Sequence, residues 1–256
     1  MAGKVYIGTS GWSYKHWKGI YYPEGLASTK WLSFYAEQFS ISEINTSFYH
    51  LPKPATIKQW TEEVPATFKF CPKMSRYLTQ MKKLLDPEEP LARFFTIFRR
   101  MKKKMGPVLL QLPPQLGFHR ERTKKFFQLL KRRYASYRFA LECRHDSWFT
   151  DEAVSLMTKY KISFVIADSG GRFPSGEFIT AKDIYVRFHG PDGSYATSYS
   201  RTSLRSYAKK CMAWSANGHH VWMFFNNDIH GYATQNAETL KKMIDKGNTS
   251  APTPRK

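Results

Sequence analysis

Eight apolar, β-rich runs are spaced along this chain, and each run ends in polar or ionisable side chains. The runs cover residues 5–10, 41–47, 68–73, 108–113, 139–144, 162–168, 184–189 and 221–227. Amphipathic stretches with helical spacing lie between most of them, so the strands are expected to run parallel. Eight such units predict a closed (β/α)8 barrel, the TIM-barrel architecture, whose strand carboxyl ends form the active-site face.

The length of the chain fits one barrel of this kind. It has 256 residues, close to the roughly 250 residues usual for the fold. We therefore expect a single domain over residues 1–245. Residues 246–256 have no apolar period and end in basic and small polar side chains, which predicts a disordered basic tail.

The sequence shows no recognisable targeting signal, and its cysteines are widely spaced; both features favour a cytoplasmic protein. No run approaches the roughly 18 consecutive apolar residues of a membrane span, and no secretory apolar region follows the amino terminus. The three cysteines, Cys71, Cys143 and Cys211, include no C-x-x-C pair. They are expected to be buried thiols in a reducing compartment, and no membrane partner is expected.

The net charge of +20 is the strongest compositional signal. Residues 69–138 hold 19 lysines and arginines but 4 acidic residues, a local excess of +15. The clusters at 99–104 and 131–133 fall at the predicted carboxyl ends of the third and fourth barrel helices, near the base of the barrel. Two interpretations stay open: a solubilising surface, or an outer wall that binds DNA or RNA by sequence-independent electrostatics.

Polar residues near the strand ends can be sorted by parity, because side chains two apart on a strand share a face. Apolar neighbours on the opposite parity are expected to face the helices. The polar set predicted to point into the barrel mouth is Glu43, Asn45, Gln111, Glu142, Arg144, Asp168, Arg187, His189 and Asn226, with Lys73 as a further member.

The residue types in this set favour a pocket for an anion. Arg144 and Arg187 can bind a carboxylate or phosphate through two parallel hydrogen bonds, and Lys73 would strengthen that preference. The predicted catalytic acids and bases are Glu43, Glu142, Asp168 and His189. A structural alternative is that Glu43 and Glu142 pair with the two arginines and close the barrel.

Other classes of site find little support in the sequence. No close histidine and acid cluster of the H-E-x-x-H type occurs, and two arginines among the carboxylates would repel a cation. Ser10 and Ser47 lack the G-x-S-x-G turn of serine hydrolases. Phosphate-binding glycine loops are absent as well. Neither a metal nor a cofactor is therefore expected.

Five motifs, in order along the chain, resemble the DUF72 (YecE-like) family of TIM-barrel proteins. They are residues 8–14 (GTSGWSY), 43–49 (EINTSFY), 142–148 (ECRHDSW), 185–190 (YVRFHG) and 225–228 (FNND). The resemblance covers about residues 5–245 and implies the barrel, but it supplies no catalytic residues. Within these motifs, Trp12, Tyr14, Tyr49 and Trp148 follow strands and are expected to wall a pocket or to pack loops.

Two hypotheses follow from the sequence. The first is an enzyme, by default a hydrolase or lyase, that binds a small anionic ligand of phosphorylated or nucleotide-like character. In it Arg144, Arg187 and Lys73 hold the anion, and Asn45, Gln111 and Asn226 orient polar groups. The second is a nucleic-acid-binding protein that uses the basic outer wall without catalysis. The sequence leaves the oligomeric state open.

Overall fold

The computed structural model describes residues 1–249 and contains eight strands. They are β1 (Val5–Thr9), β2 (Ile41–Ile44), β3 (Lys69–Pro72), β4 (Val108–Gln111), β5 (Phe139–Glu142), β6 (Ser163–Asp168), β7 (Asp183–Phe188) and β8 (His220–Phe225). The α-helices are α1 (Trp31–Gln38), α2 (Thr46–Tyr49), α3 (Pro54–Glu63), α4 (Glu88–Phe98), α5 (Arg120–Arg133), α6 (Asp151–Tyr160), α7 (Arg201–Ala216) and α8 (Tyr232–Thr249). Each predicted run overlaps one strand, and β7 and β8 begin one residue earlier than predicted.

The strands form one parallel sheet in the order β3-β2-β1-β8-β7-β6-β5-β4. Its two edge strands meet through backbone hydrogen bonds from Met74 to Leu109 and from Gly106 to Phe70, both 2.8 Å long. The sheet thus curves into a nearly closed barrel with the helices around it. The predicted TIM-barrel fold is confirmed.

Two apolar layers hold the barrel together. Inside it, Val165, Tyr185 and Trp222 belong to a small buried cluster, while the larger cluster lies between the strands and the helices. On α4, Phe94 and Phe98 share the inward face and are fully buried. Because the apolar positions recur every three or four residues, each helix covers the outer surface of the sheet.

The basic clusters lie at helix carboxyl ends, as expected. Residues 131–133 form the last turn of α5, and Arg99–Lys104 continues α4 as a 3-10 helix. Cations at these positions interact favourably with the helix dipole. Lys104 goes further, because its Nζ donates to the carbonyl oxygens of Thr61, Val64 and Pro65 at 2.6–2.9 Å. This lysine therefore satisfies carbonyl groups at the end of α3.

The carboxyl terminus differs from the prediction over its first four residues. Helix α8 continues to Thr249, so residues 246–249 are helical; the remainder of the predicted tail, 250–256, lies outside the described residues. All three cysteines are buried and free. Across residues 1–249, no helix is both long and apolar enough to cross a membrane.

Candidate functional site

A cavity of about 700 Å³ opens at the carboxyl ends of the strands. Its floor carries polar groups from β2, β3, β4, β5, β7 and β8 or from the residues directly after them. Its walls are aromatic. The lining includes Glu43, Asn45, Lys73, Gln111, Arg144, Arg187 and Asn226, together with Trp12, Tyr14, Phe48, Tyr49, Trp60 and Tyr195.

A buried ion-pair network crosses the barrel beneath this cavity. Arg187 on β7 donates through Nε and Nη2 to the two oxygens of Glu43 on β2, both at 2.9 Å. Its Nη1 donates to Glu142 on β5 at 2.5 Å, and the Tyr185 hydroxyl donates to Glu43 at 2.8 Å. Each of the three charged side chains is no more than 1% exposed. The pairing proposed as a structural alternative is therefore present.

Arg144 completes the network at the cavity surface. Its Nε and Nη2 lie 2.8 and 2.7 Å from one oxygen of Glu142, and its guanidinium stacks 4.3 Å from the centre of the Phe173 ring. Burial alone would raise the pKa of Glu142, but Arg144 and Arg187 outweigh it and hold that pKa well below its usual range. Glu142 is thus an ionised group that positions two arginines, and it is a poor proton donor.

Lys73 lines the same cavity but takes no part in the ion pairs of this network. It follows β3 directly, is 8% exposed, and donates from Nζ to Gln111 Oε1 at 2.7 Å. The Phe48 ring centre lies 4.3 Å away. Among residues 1–249 no carboxylate forms an ion pair with it. Burial, aided by the nearby Arg187, lowers the pKa of Lys73 to about 7.

His189 has the predicted parity but lies below the cavity surface. Its Nδ1 is 3.1 Å from Asn226 Nδ2, and its Nε2 is 3.6 Å from Glu142 Oε1, too far for a hydrogen bond. Nε2 has no hydrogen-bond partner within the described part of the chain. Burial lowers the pKa of His189, and the Tyr195 ring packs edge-on against it, with ring centres 5.2 Å apart.

The inward placement predicted for Asp168 is wrong. Val165 and Ala167 face the barrel interior, so Asp168, the next residue, points outward by the same alternation. Its carboxylate accepts a hydrogen bond of 2.9 Å from the Tyr207 hydroxyl on α7. The side chain therefore joins a strand to a helix, away from the mouth cavity.

Of the four aromatics expected either to wall a pocket or to pack loops, three line the cavity and the fourth packs outside the barrel. Trp12, Tyr14 and Tyr49 line the cavity. Trp148 instead lies buried outside the barrel, where its Nε1 donates to the Leu116 carbonyl at 2.8 Å. Its loop-packing role is the alternative that the sequence left open.

The segment after β2 does not continue as a strand, and this change brings additional residues to the site. Strand β2 ends at Ile44 and α2 begins at Thr46, so strand alternation, which would place Phe48 on the helix side together with Ile44, does not extend to it. The helical turn instead brings Phe48 and Tyr49 to the cavity. Asn45 Nδ2 donates to the Ser10 carbonyl at 2.9 Å, and its buried Oδ1 has no partner in the described residues.

Sequence reasoning also missed Trp60 and Tyr195 as cavity residues. Trp60 lies on α3, many residues along the chain from any strand end. Tyr195 lies in the β7–α7 loop with a positive φ of 66°. Neither position follows strand parity. Metal-ligand clustering adds no further site, since no group of three or more candidate ligands occurs within residues 1–249.

The fold and site define a (β/α)8-barrel protein with an aromatic-walled, charged cavity at the mouth. The chain belongs to the DUF72 family, "Protein of unknown function DUF72", whose model matches residues 6–256. The family resemblance that rests on the five motifs is thus confirmed, as is the barrel predicted from the eight apolar runs.

Relatives and solved structures agree with this assignment. The UPF0759 protein YunF of Bacillus subtilis (strain 168) is 26% identical over 271 residues, covering 94% of this chain and 95% of YunF. The UPF0759 protein YecE of Escherichia coli (strain K12) is 29% identical over 145 residues, which cover 57% of this chain and 50% of YecE. A DUF72 family protein from Thermotoga maritima MSB8 has a TM-score of 0.84 at 29% identity, with 94% of this chain and 99% of that chain covered.

Proposed function

We propose that the mouth cavity is the active site of an enzyme that acts on a small molecule bearing a carboxylate or phosphate group. The observation that carries this proposal is the buried ammonium of Lys73, which faces the cavity without a carboxylate partner among the described residues. An anionic ligand would supply the missing counter-charge. Chemistry of the lyase or hydrolase type suits such a site.

The charge balance supports an anionic ligand. Arg187 and Arg144 bind Glu43 and Glu142, so two positive charges are offset by two negative ones. Lys73 then adds a surplus positive charge whenever it is protonated. The Nη1 of Arg144 forms no hydrogen bond with the described residues and is a second donor for the ligand.

The roles divide between positioning and proton transfer. Glu43 and Glu142 hold Arg187 and Arg144 in place, and both carboxylates already accept hydrogen bonds from arginine. Lys73 is better suited to proton transfer, because a pKa of about 7 leaves both of its protonation states populated at neutral pH. Gln111 orients its Nζ.

The aromatic walls favour a ligand with an unsaturated or ring-shaped part. Trp12 and Trp60 meet edge to face with ring centres 5.1 Å apart, and Tyr49 leaves most of its surface exposed at the rim. Such rings stack on flat groups and exclude water. Phenyl phosphate combines a ring with an anion, so it is a suitable probe.

The test compares phenyl phosphate with phenol by calorimetry and thermal unfolding. Phenyl phosphate is expected to bind and to raise Tm, whereas phenol is not. Lys73→Met and Arg144→Gln should each weaken binding at least about tenfold, the usual consequence of losing a charge-assisted hydrogen bond. Lys131→Met removes the same charge at the end of α5 and should leave binding unchanged. Equal binding of both probes, or unchanged binding by Lys73→Met, would refute the proposal.

We infer a second candidate function, contact with nucleic acid, for the base of the barrel. Lys102 Nζ donates to Ser136 Oγ in the α5–β5 connection at 2.9 Å, so the exposed cations of the first cluster lie close to the end of α5, which carries the second. We call residues 99–103 and 131–133 the basic wall. Exposed cations of this kind suit a phosphate backbone.

Binding of random-sequence duplex DNA at two salt concentrations tests this candidate. Affinity should fall steeply with salt, and the variant Lys102→Glu, Lys103→Glu, Arg132→Glu should lose it. Lys73→Met should bind as the wild type does. If the pocket variant loses DNA binding while the wall variant keeps it, the basic wall is not the contact surface.

A further inference from the structure

The cavity contains a nitrogen nucleophile in a position suited to covalent chemistry. Lys73 Nζ faces the cavity at the end of a barrel strand, where the rigid sheet holds its backbone. One hydrogen bond, to the neutral amide of Gln111, orients it. Burying an ammonium without a carboxylate partner is costly. Burial of Lys73 at this position therefore favours its neutral amine form.

The charged groups around Lys73 come from three other strands. They are Arg187 on β7, Glu142 at the end of β5 with Arg144 shortly after it, and Glu43 on β2. All four take part in the ion pairs of the network, so their carboxylates are engaged elsewhere. The pKa of Lys73, lowered to about 7 chiefly by burial, agrees with this geometry.

We propose that Lys73 is a catalytic nucleophile that forms an imine with the carbonyl group of an anionic aldehyde or ketone. This inference rests on the proposed function, since Arg144 would hold the anionic group of the same substrate. It narrows the substrate to a carbonyl compound that also carries a carboxylate or phosphate. It also selects lyase chemistry over hydrolysis.

The reaction is balanced without a further reactant. The lone pair of Nζ forms a bond to the carbonyl carbon, and the C=O π electrons move to oxygen, which takes a proton to give a carbinolamine. The C–O bond then breaks as the nitrogen lone pair forms the C=N bond. The oxygen takes a second proton, from solvent, and leaves as water, while the N–H that remains on nitrogen makes the imine cationic.

The surroundings of Nζ suit the cationic imine as well as the ammonium. The Phe48 ring, with its centre 4.3 Å from Nζ, offers a cation–π contact to either species. Gln111 Oε1 accepts from an N–H in both. The cationic imine withdraws electrons from the neighbouring carbon, which weakens an adjacent C–C or C–H bond. A carbon–carbon or carbon–oxygen lyase uses such an intermediate.

Trapping with borohydride tests this inference, with pyridoxal 5′-phosphate as the probe because it carries both an aldehyde and a phosphate. A cavity of about 700 Å³ accommodates it. At pH 7 a lysine with a pKa of about 7 is about half amine, whereas an ordinary lysine is less than about 0.1% amine. We expect the peptide containing Lys73 to be labelled at least about tenfold faster than peptides containing exposed lysines such as Lys131.

Variants and a second probe separate the possible outcomes. Lys73→Arg keeps the cation but cannot form an imine, so it should still bind the probe in a thermal-shift assay and give no adduct at position 73. Pyridoxal, which lacks the phosphate, should label Lys73 at least about tenfold more slowly. If pyridoxal 5′-phosphate binds in the mouth but Lys73 is labelled no faster than Lys131, the imine is refuted and the anion site stands. If pyridoxal labels Lys73 as fast as its phosphate does, the imine stands and the anion site fails.

Discussion

The two ends of the barrel interior both contain buried charge, but they balance it differently. At the base, Arg138 donates to the Asp183 carboxylate at 2.9 Å, and Trp222 Nε1 donates to the same carboxylate at 2.7 Å. The Tyr6 and Trp222 rings stack on each other at this end. At the mouth, Arg187 and Arg144 pair with two carboxylates, and Lys73 has no ion-pair partner among the described residues. The base is filled by packed aromatic rings around one ion pair, whereas the mouth has a surplus cation and an open cavity.

This difference favours the mouth as the place of the proposed chemistry. Arg138 is 42% exposed, so water solvates its charge and the base pair needs little else. Arg187 is 1% exposed, and its guanidinium forms ion pairs with Glu43 and Glu142. Burying charged side chains is energetically costly, and buried charges beside a cavity are typical of functional sites. The mouth should therefore be both the more fragile end and the more reactive one.

Removing Arg187 should produce the largest effect of any single substitution that tests this contrast. Arg187→Met leaves Glu43 and Glu142 buried without their shared partner, which is expected to lower the free energy of unfolding by about 3 to 5 kcal/mol. Urea denaturation at pH 7 measures the loss.

Arg138→Met is the matched control at the base. Asp183 keeps its bond from Trp222, and the guanidinium lost was partly in water, so the cost should be about 1 kcal/mol or less. Equal losses at the two ends would show that the mouth network is no more dependent on its arginine than the base pair is.

A smaller effect, of opposite sign, is expected at Lys73. Lys73→Met removes a buried ammonium that costs stability whenever it is protonated, so the variant should be more stable at pH 7, by on the order of 2 kcal/mol. The folded pKa is about 7, whereas an unfolded lysine titrates near about 10.4. Between these values the unfolded chain binds more protons, so wild-type stability rises with pH.

The advantage of the Met variant should therefore shrink between pH 7 and pH 9. Urea denaturation of both proteins across that window measures the difference, in which contributions common to both cancel. Below pH 7 the difference should be constant. A variant that is less stable than the wild type at every pH would show that the Lys73 ammonium is adequately solvated, and the surplus charge at the mouth would lose its significance.

Much of the mouth could be predicted from local sequence, because alternation along a strand fixes which side chains share a face. It placed Glu43, Gln111, Glu142 and Arg187 correctly. Partners are another matter: Glu43 and Arg187 are 144 residues apart along the chain. Only the closed barrel brings them together, so the sequence predicts the charged set but offers its pairing only as one of two alternatives.

The errors occur where alternation stops or was not applied. Asp168 follows two interior residues of β6, Val165 and Ala167, and so must face outward. After Ile44 the chain turns into α2, which reverses the expected side of Phe48. The sequence adds Lys73 only as a further member of the predicted set, because its importance depends on burial and on the absence of a carboxylate partner within the described structure. Those properties arise from packing.

The smallest effect is expected on the basic wall, whose cations differ from those of the mouth in being exposed. Lys103→Gln with Arg132→Gln removes two charges near helix carboxyl ends, at a combined cost below about 1 kcal/mol from the helix dipoles. In 1 M salt this cost should nearly vanish, because exposed charges are screened over about 3 Å. The loss in Arg187→Met should persist in 1 M salt, since its carboxylates are buried. Urea denaturation of both variants at low and high salt measures the comparison. A wall variant that loses more than about 2 kcal/mol would mean that these cations support the fold, and that burial does not separate the two groups.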